Sequence, residues 1–192
     1  YYDADRRMTL AGRPLTSETW TRVHPEGRPV PGRDHPSNAV GWDSHNSLHL
    51  ALDRDGCLHL SGNLHADPLT YYRTRLPFDL STLERIDRMT GDRESRTTYP
   101  FFFKNGAGDL LFRYRDGGSG NGRDYYNRYH PDTRSWSRLL ETPLHEGEGE
   151  RSAYATPPVA GPDGFFHVLW VWRDTPDAAT NHTLSYARSR DL

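Results

Sequence analysis

Four histidines, at positions 45, 49, 59 and 65, fall within the stretch that runs from GWDSHNSLHL (41–50) to SGNLHADPLTYY (61–72). An imidazole with its ordinary pKa of about 6.5 gives and takes protons near neutrality, so a pair suits acid–base catalysis, metal ligation or plain polar contact. His45 and His65 stand 20 residues apart at matching ends of two segments, SHNSLHLAL and CLHLSGNLH. If these pair antiparallel through a turn at 53–56, the start of the first lies beside the end of the second, and the two rings meet at one rim. Asn46 and Asn63 flank the pair, placed either to orient imidazoles and hold a hydroxyl-rich ligand or to make strand-end hydrogen bonds. His49, His59 and His167 lie inside alternating strands and read as packed, hydrogen-bonded structural residues.

A second dense region is FRYRDGGSGNGRDYYNRYH, residues 112–130. Tyr114 offers a phenolic oxygen, and Arg128 a two-pronged donor for a carboxylate. Arg113 and Arg115 alternate with Phe112 and Tyr114, so one pair must face away from the other. The run Gly117–Gly122 is too glycine-rich for a strand and reads as a loop closing against a ligand; it lacks the strand–turn–helix context of a phosphate-binding loop. In a purely structural reading, these residues are a buried tyrosine and a salt-bridged arginine between stacked blades, with Asp116 or Asp124 as the arginine's partner. Trp172 and Arg173 occupy a related place further on, fit for stacking on sugar rings or for packing between sheets. HEGEGE at 145–150 reads as a solvated loop, and no close-spaced Cys/His/carboxylate set forms a strong metal motif.

These residues must be carried by strands. Helical periodicity is absent, whereas short alternating segments bounded by Asp-Gly, Asn-Gly or Pro recur throughout, which predicts an all-β chain. The turn glycines of three similar units fall at 56, 108 and 164, spacings of 52 and 56 residues. LTYYRT, DYYNRY and LSYARS then superpose as equivalent third strands, while STLERI (81–86) and RSWSRLL (134–140) read as fourth, outer strands. Repeats of about 50 residues with about four strands each are the pattern of propeller blades. The expected units are the end of a blade at 1–25 and blades at 42–90, 97–142 and 153–192, an incomplete part of a β-propeller; a β-sandwich is the competing fold.

The 192 residues carry a formal charge of -2, which gives no general attraction to nucleic acid. Lys104 is the sole lysine, so the basic side chains are arginines, whose planar fork suits carboxylates. The single cysteine, Cys57, excludes an intrachain disulfide. No run reaches transmembrane length, and YYDADRRMTL, which lacks the layout of a signal peptide, reads as beginning inside something longer.

DSHNSLHLALDRDGCLHLSGNLHADPLTYYRT, together with YPFFF, LLFRYRDGGSGNG and YYNRYH, resembles the BNR-4 repeat proteins, β-propellers that include ulvan lyases and related lyases of rhamnose- and glucuronate-containing polysaccharides. The resemblance extends over the whole chain and implies about half of a seven-bladed propeller. It implies that His45 and His65 are active-site histidines, Tyr114 the catalytic tyrosine and Arg128 the arginine that neutralises the uronate carboxylate. Arg113, Arg115 and Tyr126 are the substitutes. It further implies β-elimination on an acidic polysaccharide, an extracellular or periplasmic location and no required cofactor, with room for a structural calcium or zinc ion in the whole protein. The alternatives are a sialidase-like glycoside hydrolase, for which Asp43, Asp67 and Asp116 are available but no Asp-box repeats, and a carbohydrate-binding propeller without catalysis.

Overall fold

The computed structural model describes residues 1–41 and 43–192; Trp42, the first residue of the expected 42–90 unit, lies outside the described residues. The chain is all-β, with strands in several antiparallel sheets and no closure of those sheets into a barrel or ring among the described residues. β1 (Leu10–Gly12) and β2 (Thr21–Val23) form a two-stranded ribbon. β3 (Leu48–Leu52) and β4 (Leu58–Gly62) make the expected hairpin, with Leu48 opposite Gly62. β5 (His65–Asp67) leaves this sheet, while β6 (Tyr71–Thr74) and β7 (Leu83–Ile86) complete it in the order β3-β4-β6-β7. β8 (Thr97–Lys104), β9 (Leu110–Asp116), β10 (Arg123–His130) and β11 (Ser135–Arg138) form the next sheet, with β5 added at its β8 edge. In the last sheet, β12 (Ser152–Ala155) and β13 (Val159–Ala160) share one edge of β14 (Phe166–Arg173), and β15 (Asn181–Ser189) pairs with the other.

The three turn glycines adopt positive φ of 84°, 85° and 77° at positions 56, 108 and 164, as the repeat predicts. The expected outer strands are present as β7 and β11. β5 differs from expectation, because a segment of the first unit pairs with the second, His65 opposite Thr98. That crossing ties two sheets together at the edge where His65 sits.

Strand alternation sorts the middle sheet into two faces. One carries Phe102, Phe112, Tyr114, Tyr129 and Trp136 against Tyr71 of the first sheet, forming the main aromatic core. Within it, Phe102 and Phe112 are 4.7 Å apart and Tyr129 and Trp136 5.0 Å apart between ring centres. Each such pair adds about 0.5–1.5 kcal/mol to the gain from burial. The other face carries Arg113, Arg115, Asp124 and Tyr126 toward the third sheet. A smaller core of Met8, Leu10, Leu58, Leu60 and Tyr72 joins the N-terminal ribbon to the first sheet. The two outermost sheets leave apolar side chains in the open: Leu50 is 60% exposed at one end and Leu184 70% at the other.

A polar chain threads the aromatic core. The Trp136 indole N–H donates to Tyr71 Oη (3.1 Å), the Tyr71 hydroxyl donates to His59 Nδ1 (2.8 Å), and His59 Nε2–H donates to Asp53 (3.2 Å). This order fixes one imidazole tautomer and satisfies each buried group. Burial pushes the His59 pKa below its ordinary value despite the Asp53 charge. Burial pushes the Asp53 carboxyl upward, but the hydrogen bonds from His59 and the Cys57 amide more than offset it and hold it low.

Both shifts weaken the fold in acid. The unfolded chain protonates His59 below about pH 6.5 and Asp53 below about pH 4, whereas the folded chain takes up these protons only at lower pH. Denaturant midpoints should therefore fall as pH drops from about 6.5. His59→Gln should flatten the upper part of that decline and cost about 1–3 kcal/mol at neutral pH, measured by urea titration across pH.

Candidate active site

The expected meeting of His45 and His65 occurs, and a carboxylate organises it. The two rings stack with centres 4.0 Å apart. Asp43 takes one imidazole on each oxygen, His45 Nδ1 at 2.9 Å and His65 Nδ1 at 2.5 Å, and its Oδ1 also accepts the His45 backbone N–H. Burial raises the Asp43 carboxyl, but these donors outweigh it and hold the group well below the usual carboxylate range. With both Nδ1 atoms on one anion, each ring turns its Nε2 away from Asp43. Asp43, His45 and His65 also form a group whose donor atoms all lie within 4.8 Å of one another, of the right chemistry to hold a divalent cation. Its carboxylate–imidazole distances are those of hydrogen bonds.

Two bulges aim the side chains. Between His65 and Asp67, Ala66 takes φ +58°, and on β8 Tyr99 takes φ +56° where the pairing with β9 slips between Thr98 and Phe101. A bulge re-aims the residues beside it, and holding an aromatic residue in the left-handed region costs about 1–3 kcal/mol. Arg33 braces the first bulge with a two-pronged pair to Asp67 at 2.9 and 3.2 Å and a bond to the His65 carbonyl. The Tyr99 ring is thereby brought 5.9 Å from that of His45.

Beyond Tyr99 lies Arg115. Its guanidinium carbon sits 5.0 Å from the Tyr99 ring centre and 4.5 Å from that of Tyr154 on β12. Arg115 is 4% exposed, its Nε and Nη1 have no hydrogen-bond partner, and it has no ion pair among the described residues. These groups border a cavity of about 420 Å³ whose lining includes Ser47, His49, Tyr99, Arg115 and Tyr154 and, among the described residues, no Asp or Glu. Tyr154 Oη accepts the Gly120 backbone N–H (3.2 Å) and lies 3.3 Å from Ser119 Oγ, while the Arg173 guanidinium stacks 3.8 Å from its ring centre. Burial alone would raise the phenol pKa, but the bonds to Ser119 and Gly120 and the charges of Arg115 and Arg173 bring it below the ordinary tyrosine value.

The expected site residues divide accordingly. His45 and His65 stack on each other beside Tyr99, Arg115 lines the cavity on the other side of Tyr99, and Arg173 stacks on Tyr154 outside the cavity lining. Asn46 borders a separate polar recess beside Asp43. Arg113 reaches the cavity wall but is spent on Asp124 (2.7 Å) and the Ala155 carbonyl (3.0 Å). Tyr114 does not reach the site: alternation turns it into the aromatic core, where its hydroxyl donates to the Asp92 carbonyl and accepts from Arg138, and burial raises its pKa. Arg128 shares a face with Arg115 but pairs with Asp109 at 2.7 Å. It is opposite Leu111, four residues along β9 from Arg115, or about 13 Å. Tyr126 is buried beneath Arg113. Asn63 pins the N-terminal segment, accepting from Tyr2 and donating to the Ser37 and Ala39 carbonyls. Trp172 lies under Arg151, lining a different cavity. Asp43, Tyr99 and Tyr154 were not singled out for these roles, because the first acts through two distant rings, the second through a bulge and the third from a neighbouring sheet.

The sequence profile of the family described as BNR repeat-containing family member matches residues 1–192. A long-isoform ulvan lyase of Glaciecola sp. (strain KUL10) is 30% identical over a match covering 54% of this chain and 14% of that protein. A short-isoform ulvan lyase of Alteromonas sp. (strain LOR) is 28% identical, over 50% of this chain and 26% of that protein. The crystal structure of the polysaccharide lyase Uly1 superposes with a TM-score of 0.74 at 21% identity, covering 97% of this chain and 48% of its own. This chain thus spans about half the length of that structure and a smaller share of the curated relatives it matches.

The two buried arginines should respond oppositely to loss of charge. Arg115→Met removes a buried cation that has no anion and should leave the urea midpoint unchanged or raise it. Arg113→Met strands Asp124 in the interior and should cost about 3–5 kcal/mol.

Proposed function

Because the chain belongs to the BNR repeat-containing family, we propose that it is the catalytic part of a polysaccharide lyase that cleaves a uronate-containing polymer of the ulvan type by β-elimination. The observation that carries this reading is the buried, unpaired Arg115 between two tyrosines in a cavity free of carboxylates. Such a site lacks one anion, and a uronate carboxylate supplies it. The same reading makes the three sheets blades of a larger propeller, with neighbouring blades over the exposed apolar side chains of the outermost sheets, and places the protein outside the cytoplasm, where its polymer is.

In this assignment Arg115 pairs with the carboxylate and spreads the charge that develops when the C5 proton leaves. Tyr99, whose ring lies between that of His45 and the Arg115 guanidinium, takes that proton as the phenolate. The electron pair forms the C4–C5 double bond, the C4–O4 bond breaks, and His45 Nε2 delivers a proton to O4. His65 and Asp43 hold the His45 ring in place, and Tyr154 closes the cavity wall beside the guanidinium. A divalent cation on Asp43 and the two rings would occupy the groups this step uses, so the elimination is assigned to the side chains alone. A hydrolase needs paired carboxyl groups or a tyrosine with a carboxylate partner; the cavity lining holds no Asp or Glu among the described residues, and Asp43, beside the histidines, has both oxygens engaged by imidazoles.

The test is incubation of the protein with glucuronate-containing polysaccharides. A lyase produces conjugated, ultraviolet-absorbing unsaturated ends; saturated reducing ends would mean hydrolysis, and binding without either product a non-catalytic module. Arg115→Ala should lower kcat/KM about 10²–10³-fold and His45→Ala about 10²–10⁴-fold, with unfolding transitions retained. Arg128→Ala and Tyr114→Phe should change kcat/KM by less than about tenfold.

A further inference from the structure

The Asp–His–Tyr chain inside the aromatic core has a second copy on the open face of the last sheet. There His167 Nε2–H donates to Asp163 at 2.9 Å and Tyr186 Oη donates to His167 Nδ1 at 2.7 Å, as His59 does to Asp53 and Tyr71 to His59 in the first sheet. The rings stand alike: 5.9 Å apart and inclined by 24° for His167 and Tyr186, 5.8 Å and 26° for His59 and Tyr71. Strand register agrees as well, His167 lying opposite Arg188 on β15 as His59 lies opposite Arg73 on β6. The carboxylates come from different turn positions, Asp53 before Gly56 by three residues and Asp163 before Gly164 by one, yet both reach Nε2.

The two copies differ in what covers them. Over the first lies the middle sheet: Trp136 on its outer strand β11 donates its indole N–H to Tyr71 Oη at 3.1 Å, and Arg73 donates to Tyr129 Oη at 3.1 Å and to the Arg134 carbonyl at 2.9 Å. Over the second the face is open. Tyr71 is 1% exposed and Tyr186 53%, and Tyr186 Oη has no hydrogen bond besides that to His167 among the described residues. Arg188 lies exposed over the Phe165 ring. Leu169, opposite Tyr186, and Leu184, opposite Val171, extend the same face with exposed apolar surface. A hydrogen-bonded side-chain network contributes most where water is excluded, as around His59.

We propose that Asp163, His167, Tyr186 and Arg188 form a latch for the next sheet of the propeller, one whose outer strand brings a tryptophan indole N–H to Tyr186 Oη and oxygen acceptors to Arg188. The occupant follows from the internal precedent. The same side chains, in the same geometry and register, are already seated against a neighbouring sheet, and that sheet shows which groups a neighbour supplies. The Asp–His pair orders the phenol for this contact. With Nε2–H held by the carboxylate, Nδ1 accepts the phenolic proton, and Tyr186 Oη keeps its lone pairs for the incoming donor. The latch also selects alignment, because a neighbour slipped by one residue along its outer strand turns its donor to the opposite face and leaves Tyr186 without a partner. The inference rests on the reading of the three sheets as blades, and adds to it the side chains that join one blade to the next.

The experiment compares the 192-residue chain with the complete protein of which it is a part. Hydrogen–deuterium exchange at the histidine Cε1 positions, read by peptide mass spectrometry, reports cover over each ring. In the 192-residue chain His167 should exchange freely and His59 slowly; in the complete protein His167 should become as slow as His59. Urea midpoints report the latch itself. In the 192-residue chain Tyr71→Phe, which strands the Trp136 N–H, should lower the folded-to-unfolded ratio about 5–30-fold, and Tyr186→Phe should leave it unchanged. In the complete protein Tyr186→Phe should lower it by a factor similar to that of Tyr71→Phe. A His167 that exchanges as fast in the complete protein as in the 192-residue chain overturns the latch and the blade reading together. A His167 that becomes protected while Tyr186→Phe leaves the midpoint of the complete protein unmoved overturns the latch and leaves the blades standing.

Discussion

Everything at the candidate site depends on the twofold alternation of β9. Successive side chains of a strand point to opposite faces, so Phe112 and Tyr114 enter the aromatic core while Arg113 and Arg115 point to the third sheet. Neither direction can change without the other. The core formed with Tyr71, Phe102, Tyr129 and Trp136 sets the register of β9 against β8 and β10, and that register delivers Arg115 to the cavity between Tyr99 and Tyr154. A slip of one residue would bury both arginines in the aromatic layer and expose the tyrosine, so the apolar packing on one side specifies the chemistry on the other.

The site keeps arrangements that stability alone would not favour. Arg115 is buried without an anion, Tyr99 is held at positive φ, and two imidazoles are stacked against a single carboxylate. Each costs free energy in the absence of a ligand, and each is braced from elsewhere: Arg115 by two aromatic faces, Tyr99 by the pairing of β8 with β9 on either side of its bulge, and the imidazoles by Asp43. Arg113 marks the contrast. Two residues away on the same face, it is ion-paired to Asp124 and hydrogen-bonded to the neighbouring sheet, the arrangement expected of a structural cation. Loop 117–122 belongs with the braces, since it joins two sheets at the tyrosine whose ionisation the surrounding cations favour.

Much of the frame was legible in the residues. The turn glycines, the alternating leucines of the first hairpin and the matching third strands marked the repeat, and the antiparallel pairing of 47–52 with 57–62 was enough to bring His45 and His65 to one rim. The assignment of Tyr114 and Arg128 failed for a reason also written in the sequence, because Tyr114 alternates with Arg113 and Arg115 and cannot share their face. Arg128 has the right parity but the wrong position along the strand, and proximity in sequence to the glycine-rich loop gave no measure of that separation.

The sequence by itself determined the all-β character, the strand boundaries and which side chains share a face, because these follow from local periodicity and turn chemistry. Only the tertiary structure decided which of those faces meet. The crossing of β5 into the next sheet set His65 opposite Thr98, and the packing of β12 across β9 set Tyr154 over Arg115, contacts between residues 33 and 39 positions apart. Such meetings depend on how sheets stack and where bulges interrupt them, which no local pattern records. The histidine pair could be read from a single hairpin; the cation and the phenol that complete the site come from separate sheets.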